Sequence, residues 1–183
     1  MKPQPPITFS PLHPSHPHLQ AATTLYETAF PEVERRDTAL WLGLMTTSPC
    51  FHALAIMTDD VFAGLITWWQ LTEDFCYVEH FAIAPALRSA GIGGEALEQF
   101  LRERKGNVVL EVEPPTGEMP RRRIGFYQRH GFTLWALPYR QPPYRRGGEW
   151  LDLCLMGTTA EPSQDVSDRL VQALHRLVYG MED

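Results

Sequence analysis

Three runs in the first half of the chain, "FHALAIM", "VFAGLITWWQL" and "FCYVEHFAIA", are dense in apolar, β-branched and aromatic residues. Such runs suit strands packed on a pleated, half-buried surface, and "TDD" (Thr58–Asp60) supplies a turn between the first two. Their short links predict an antiparallel meander. Upstream, "ITF" (Ile7–Phe9) reads as a short strand. Leu19, Ala22, Tyr26, Ala29 and Phe30 then recur at helical spacing until Pro31, and Asp37 is placed to cap a second helix through Leu40, Trp41 and Leu44. Downstream of three clustered glycines, Leu97, Phe100, Leu101 and the stem of Arg104 line one helical face that stops at Gly106. "NVVLEVE" follows as a buried strand, so this strand–helix–strand passage predicts a parallel pair joined by a crossover. Pro120 then opens a helix, "RRRIGFYQRH", with Gly131 at its C-cap and Phe132 folding back on it. "FTLWAL" and "EWLDLCLM" close the sheet around a loop, "PYRQPPYRRGG". No internal repeat is present. The order predicts an α+β fold with a mixed, mostly antiparallel central sheet of about seven strands and helices on both faces.

The last segment carries Leu170, Val171, Leu174, Leu177 and Val178 on one helical stripe. Residues 1–159 are therefore expected to form one domain, and residues 160–183 an amphipathic helical extension. That helix either packs onto its own domain or makes a homodimer contact.

Composition narrows the class of protein. A length of 183 residues, 44% hydrophobic and 21% charged, fits one globular domain with a full core. The formal charge of −6 argues against a general nucleic-acid binder. No apolar run approaches the ~20 residues that span a bilayer. The proline-rich start, "MKPQPPITFSPLHPSHPH", lacks the apolar core of a secretory signal. Cys50, Cys76 and Cys154 lie far apart in apolar runs and read as buried thiols of a cytoplasmic protein. His13, His16 and His18 alternate with prolines and read as a flexible arm rather than a metal site.

The densest chemistry is in "HFAIAPALRSAGIGGEAL", His80–Leu97. Here an apolar strand stops at Pro85, Arg88 follows, and Gly91, Gly93 and Gly94 come just before a helix. Amides at a helix start have no intrahelical partner, and the helix dipole makes that end positive. Without side chains on these glycines, an anion such as a diphosphate can contact the backbone directly. "GIGGEA" also satisfies the dinucleotide pattern G-x-G-x-x-A, with Glu111 where a ribose-binding acid would stand. That pattern needs its first glycine directly after the strand, whereas "PALRSA" intervenes here and no repeated βαβ units follow.

The stretch instead resembles the acetyl-CoA motif of the GCN5-related N-acetyltransferase (GNAT) superfamily: a hydrophobic strand, a proline, then R-x-x-G-x-G opening a helix. "IGFYQRHGF" (Ile124–Phe132) resembles the family's helix ending in a tyrosine, a glycine and an aromatic. The element order from Ile7 to Met156 matches too. The resemblance implies a GNAT-like fold in which the strand before the loop splays from the next parallel strand. It implies that the backbone of Phe81, Ala82 and Ile83 pairs with the pantetheine amides and acetyl carbonyl of acetyl-CoA. The amides of Arg88, Ser89, Ala90, Gly91, Ile92, Gly93 and Gly94 would hold the pyrophosphate. Where the family often has an asparagine after the next strand, this chain has Glu113-Pro114-Pro115.

Acetyl transfer to an amine needs the neutral nucleophile. An alkylamine of pKa ~10.4 costs about 4–5 kcal/mol to deprotonate at neutral pH. Glu79, two residues before Phe81 and on the same face of the strand, is the candidate for the proton route, through a raised pKa or a water. His80 alternates to the opposite face and reads as packing. Tyr127 resembles the family tyrosine that protonates the leaving thiolate. The loop at 139–148, with Tyr139 and Tyr144, lies on the family's acceptor side, as does "FPEVERRD". Glu34, Glu79 and Glu111 together would favour a cationic acceptor. "RRR" at 121–123 reads as a solvated helix start, with CoA phosphates as the alternative partner. The expectation is an acetyl-CoA-dependent, metal-free N-acetyltransferase acting by direct transfer on a small-molecule or peptide amine. The alternative is a non-catalytic acyl-CoA sensor.

Overall fold

The computed structural model describes residues 6–182. The first five residues of the proline-rich start lie outside them. The elements are β1 (Ile7–Pro11), α1 (Leu19–Ala29), α2 (Thr38–Thr47), β2 (Phe51–Thr58), β3 (Val61–Gln70), β4 (Phe75–Ile83) and α3 (Ile92–Glu103). There follow β5 (Asn107–Val112), α4 (Glu118–Arg129), β6 (Thr133–Leu134), β7 (Tyr139–Gln141), β8 (Leu151–Gly157) and α5 (Gln164–Tyr179). The fold is α+β with a mixed, mostly antiparallel sheet, as the hydrophobic pattern predicts. The chain gathers into two compact units, and β3 and β4 thread through both.

The first unit holds the residues up to Trp68 together with His80–Glu103. Its strand order is β1-β2-β3-β4, with β1 antiparallel to β2 from Ile7↔Thr58 to Pro11↔Leu54. The β2–β3 turn places Asp59 at φ 47° and Asp60 at φ 59°, a left-handed pair that matches the twist of a tight hairpin. Tyr26 and Trp41 stack at 4.3 Å between α1 and α2, and Leu97 and Phe100 of α3 are fully buried. Gly64 of β3 is required by packing. A Cβ there would stand 2.3 Å from the Ala82 carbonyl oxygen, so only glycine lets β3 run this close to the end of β4.

The second unit holds Trp69–Glu79 and the residues from Arg104 onward. Here β4 pairs in parallel with β5 from Phe75↔Asn107 to Val78↔Leu110, confirming the crossover pair. The order continues β5-β8-β6, all antiparallel, with β7 also on β8. Leu170, Leu174 and Val178 of α5 are buried, so the apolar stripe packs within its own chain.

Several expectations need correction. The loop between the last two predicted strands contains β7, paired from Tyr139↔Leu153 to Gln141↔Leu151. Helix α4 begins at Glu118, not Pro120, because proline in a first turn lacks only an N–H that has no helical partner. Gly131, at φ 87°, stands one residue past the C-cap His130, and the Phe132 amide returns to the Tyr127 carbonyl at 3.1 Å. Asp37 is at the N-cap of α2, but its side chain makes no capping hydrogen bond. The histidine segment is packed rather than a loose arm: His16 is buried, and its Nε2 lies 2.9 Å from Ser10 Oγ. All three cysteines are free, but only Cys76 is buried, since Cys50 and Cys154 are partly exposed.

Candidate active site

In the first unit, β4 ends in a 3-10 turn at Pro85–Leu87, and the chain then reverses through Ser89 at φ 68° and Gly91 at φ 80° into α3. A left-handed backbone is costly for a residue with a Cβ, so Gly91 fits there and Ser89 is strained. The Gly91 carbonyl accepts the first helical bond from the Glu95 amide at 3.2 Å. The amides of Ile92, Gly93 and Gly94 therefore precede that bond and stand at the positive end of the dipole. A Cβ on Gly93 would meet only Ile83 Cγ1, at an ordinary 3.5 Å. Packing thus does not demand glycine at 93, and its absent side chain leaves space clear beside these amides. Arg88 ties the loop to the strand end: its Nε donates to the Ile83 carbonyl at 3.0 Å. That takes up the carbonyl of Ile83, not its amide. The parallel register of β4 on β5 runs from Phe75 to Val78, and Phe81–Ile83 lie beyond it toward the loop.

In the second unit, Glu79 is held at both carboxylate oxygens. Trp69 Nε1 donates to Oε2 at 2.8 Å, and the Tyr144 hydroxyl donates to Oε1 at 3.0 Å. Glu111 on β5 is more fully enclosed. Tyr77 donates to Oε2 at 2.8 Å, Tyr179 reaches both oxygens at 2.8 and 3.1 Å, and Tyr139 donates to Oε1. Burial disfavours the charged form and pushes the Glu111 pKa up to about 7, against the opposing effect of the phenols. The neighbouring Glu79 charge pushes it the same way. Burial likewise drives the phenols of Tyr77, Tyr139 and Tyr179 far above their ordinary value, so they stay protonated donors.

Tyr127 is on α4 in this unit, its ring 5.3 Å from Phe126 and 5.5 Å from Phe132. Burial pushes its hydroxyl up to about 12, partly offset by Arg123. Arg121, Arg122 and Arg123 are exposed, and Arg123 pairs with Glu113 at 3.0 Å.

Of the candidates, Glu79 meets Tyr144 and Glu111 meets Tyr139, each by a direct hydrogen bond. Glu34 lies in the first unit, where its carbonyl is 3.0 Å from Nε2 of the buried His80. Trp69, Tyr77 and Tyr179 were not singled out from the sequence. The available signal was Glu111 itself: a carboxylate inside a buried strand must find donors.

The profile of the Acetyltransferase (GNAT) family matches residues 16–132. This chain belongs to that family of acetyltransferases. Among solved structures it is similar to a protein described as a GNAT-family acetyltransferase from Bacteroides thetaiotaomicron, at 39% identity and TM-score 0.91, covering 96% of this chain and 99% of that one. It shares its fold with a GNAT acetyltransferase from Elizabethkingia anophelis solved with acetyl-CoA bound, at 15% identity and TM-score 0.57, covering 82% and 96% of the two chains. It also shares it with a chimera that includes the spermidine N-acetyltransferase from Vibrio cholerae, at 13% identity and TM-score 0.62, covering 82% and 93%. No curated protein sequence matches the chain.

Proposed function

We propose that this protein is an acetyl-CoA-dependent N-acetyltransferase that moves an acetyl group directly to a primary amine in a ternary complex. The observation that carries the reading is the start of α3: a left-handed Gly91 followed by amides that precede the first helical bond, with no side chain at Gly93 to cover them. Such a turn suits a diphosphate. In this reading the amides from Arg88 to Gly94 hold the pyrophosphate of acetyl-CoA, and the backbone of Phe81, Ala82 and Ile83 holds its pantetheine. Bound there, acetyl-CoA supplies an activated thioester acetyl group.

The chain's own residues handle protons and charge. The Ile83 amide donates to the oxygen on which negative charge develops. Glu79 takes the proton of the amine, directly or through a water, and Trp69 and Tyr144 fix the orientation of its carboxylate. Tyr127 stays protonated at neutral pH, loaded as a donor toward the leaving sulfur. A phenol raised this far is a weaker acid than a thiol of pKa ~8.5, so it supports the leaving sulfur chiefly as a hydrogen-bond donor, and full proton transfer to it is uphill. Glu34, Glu111, Tyr139 and Tyr144 serve the acceptor, which is a small molecule or a peptide amine. Because the Glu111 oxygens are engaged by phenols, its influence on a cationic acceptor runs through its charge.

Calorimetry with coenzyme A, followed by thiol release from acetyl-CoA with a panel of polyamines, amino acids, aminoglycosides and peptide N-termini, tests the proposal. Binding plus acceptor-dependent release is the expected result. Binding with no release for any amine would favour a sensor, and no binding would overturn the reading.

A further inference from the structure

Within the second unit, a continuous set of contacts leads from the last turn of α5 to Glu79. Tyr179 is the final residue of α5, where Gly180 caps the helix in the left-handed conformation. Its hydroxyl is tethered to Glu111, whose other donors are Tyr77 on β4 and Tyr139 on β7. Its ring packs against the ring of Tyr144 at 5.0 Å and 54°. Tyr144 sits in the loop after β7, and its hydroxyl holds Glu79 Oε1 at 3.0 Å. A tyrosine in a loop has two soft side-chain torsions, which packing against a fixed ring restricts. The Tyr179 ring forms one wall of that packing. Tyr179 is in turn fixed because Glu111 accepts its hydroxyl at both oxygens.

We propose that Tyr179, anchored on Glu111, is a positioning residue for Glu79: it holds Tyr144 in the orientation that directs one carboxylate oxygen of the proton acceptor. The C-terminal helix thereby becomes part of the catalytic apparatus rather than an appendage to it. This rests on the reading of Glu79 as the proton route. Titratable groups around the pair of carboxylates include Tyr77 beside Glu79 on β4, Glu111 on β5, Tyr139 on β7, Tyr144 in the following loop and Tyr179 on α5, with His175 of α5 packed 5.6 Å from the Tyr139 ring and 6.4 Å from the Tyr179 ring.

The Trp69 indole N–H, bonded to Glu79 Oε2, gives a readout that needs no acceptor. Its nitrogen–proton NMR resonance, assigned by loss in Trp69→Phe, follows the ionisation of Glu79. In Tyr179→Ala, Tyr144 loses its wall and the Glu79 carboxylate loses a steady donor. The indole titration and the acid limb of turnover should then both move to higher pH. Turnover with the amine found in the thiol-release panel should fall roughly tenfold, with little change in KM for acetyl-CoA. Tyr179→Phe, which keeps the ring and removes the tether, should shift both in the same direction by less. Arg169→Ala, on the exposed face of α5, should leave both unchanged. The Phe variant and a dispersed spectrum guard against simple unfolding. If Glu79→Gln abolishes turnover but neither Tyr179 variant moves the indole titration or the pH profile, the positioning proposal fails and the Glu79 reading stands. Unchanged turnover in Glu79→Gln would overturn both.

Discussion

The loop entering α3 and the carboxylate–tyrosine cluster of the second unit are built by opposite means. The loop works with backbone, and its residues, Arg88 to Gly94, are consecutive. The cluster works with side chains drawn from Trp69, Tyr77, Glu79, Glu111, Tyr139, Tyr144 and Tyr179. A backbone device needs the right φ angles and an absence of side chains, both of which a short motif can specify. A side-chain device needs topology to bring distant segments together, and no short motif specifies that. The first should therefore respond to changes in glycine, and the second to changes in protonation.

Four substitutions would test that contrast. Glu79→Gln should have the largest effect, a loss of roughly a hundredfold in kcat with little change in acetyl-CoA KM, as expected for removal of a general base. Steady-state kinetics that show equal kcat would remove Glu79 from the chemistry. Tyr127→Phe should lower kcat by about tenfold under conditions where chemistry limits the rate. Gly91→Ala forces a Cβ into a φ of 80° at a cost of about 1–2 kcal/mol. Coenzyme A affinity by calorimetry should weaken several-fold while the pH profile of kcat stays where it was. A shifted profile would mean that the two devices are not separable.

Glu111→Gln keeps one accepting oxygen for the surrounding phenols, so its effect on turnover should be the mildest, and stability is its main readout. In the folded chain Glu111 titrates at about 7, against an ordinary 4.5, so between these values the folded state binds more protons than the unfolded one. Stability from this group is full below 4.5 and declines as pH rises through about 7. The Gln variant should lose that decline, flattening the melting temperature across the window. An unchanged slope would show that Glu111 does not titrate there.

The same contrast explains what could be read in advance. The meander, the crossover pair and α3 follow from contiguous patterns, and the structure bears them out. Strand β7 is not legible in the sequence because three residues, one of them Arg140, followed by Pro142-Pro143, resemble loop chemistry. Pro120 does not mark the start of α4, because proline is tolerated within a first turn as well as at its opening. Tyr77 and Tyr179 carry no sequence signal of their own, because tyrosines in apolar stretches read as core. Their hydroxyls acquire meaning only once Glu111 is seen to need donors.

The Asp59-Asp60 hairpin holds two side-chain-bearing residues at positive φ, where Asn-Gly is the preferred pair. Replacing Asp59→Asn and Asp60→Gly should relieve up to about 1 kcal/mol of conformational strain, read as a higher melting temperature. That gain would come from a reverse turn with no assigned task. It offers a sturdier background in which damaging changes elsewhere can be assayed in folded material.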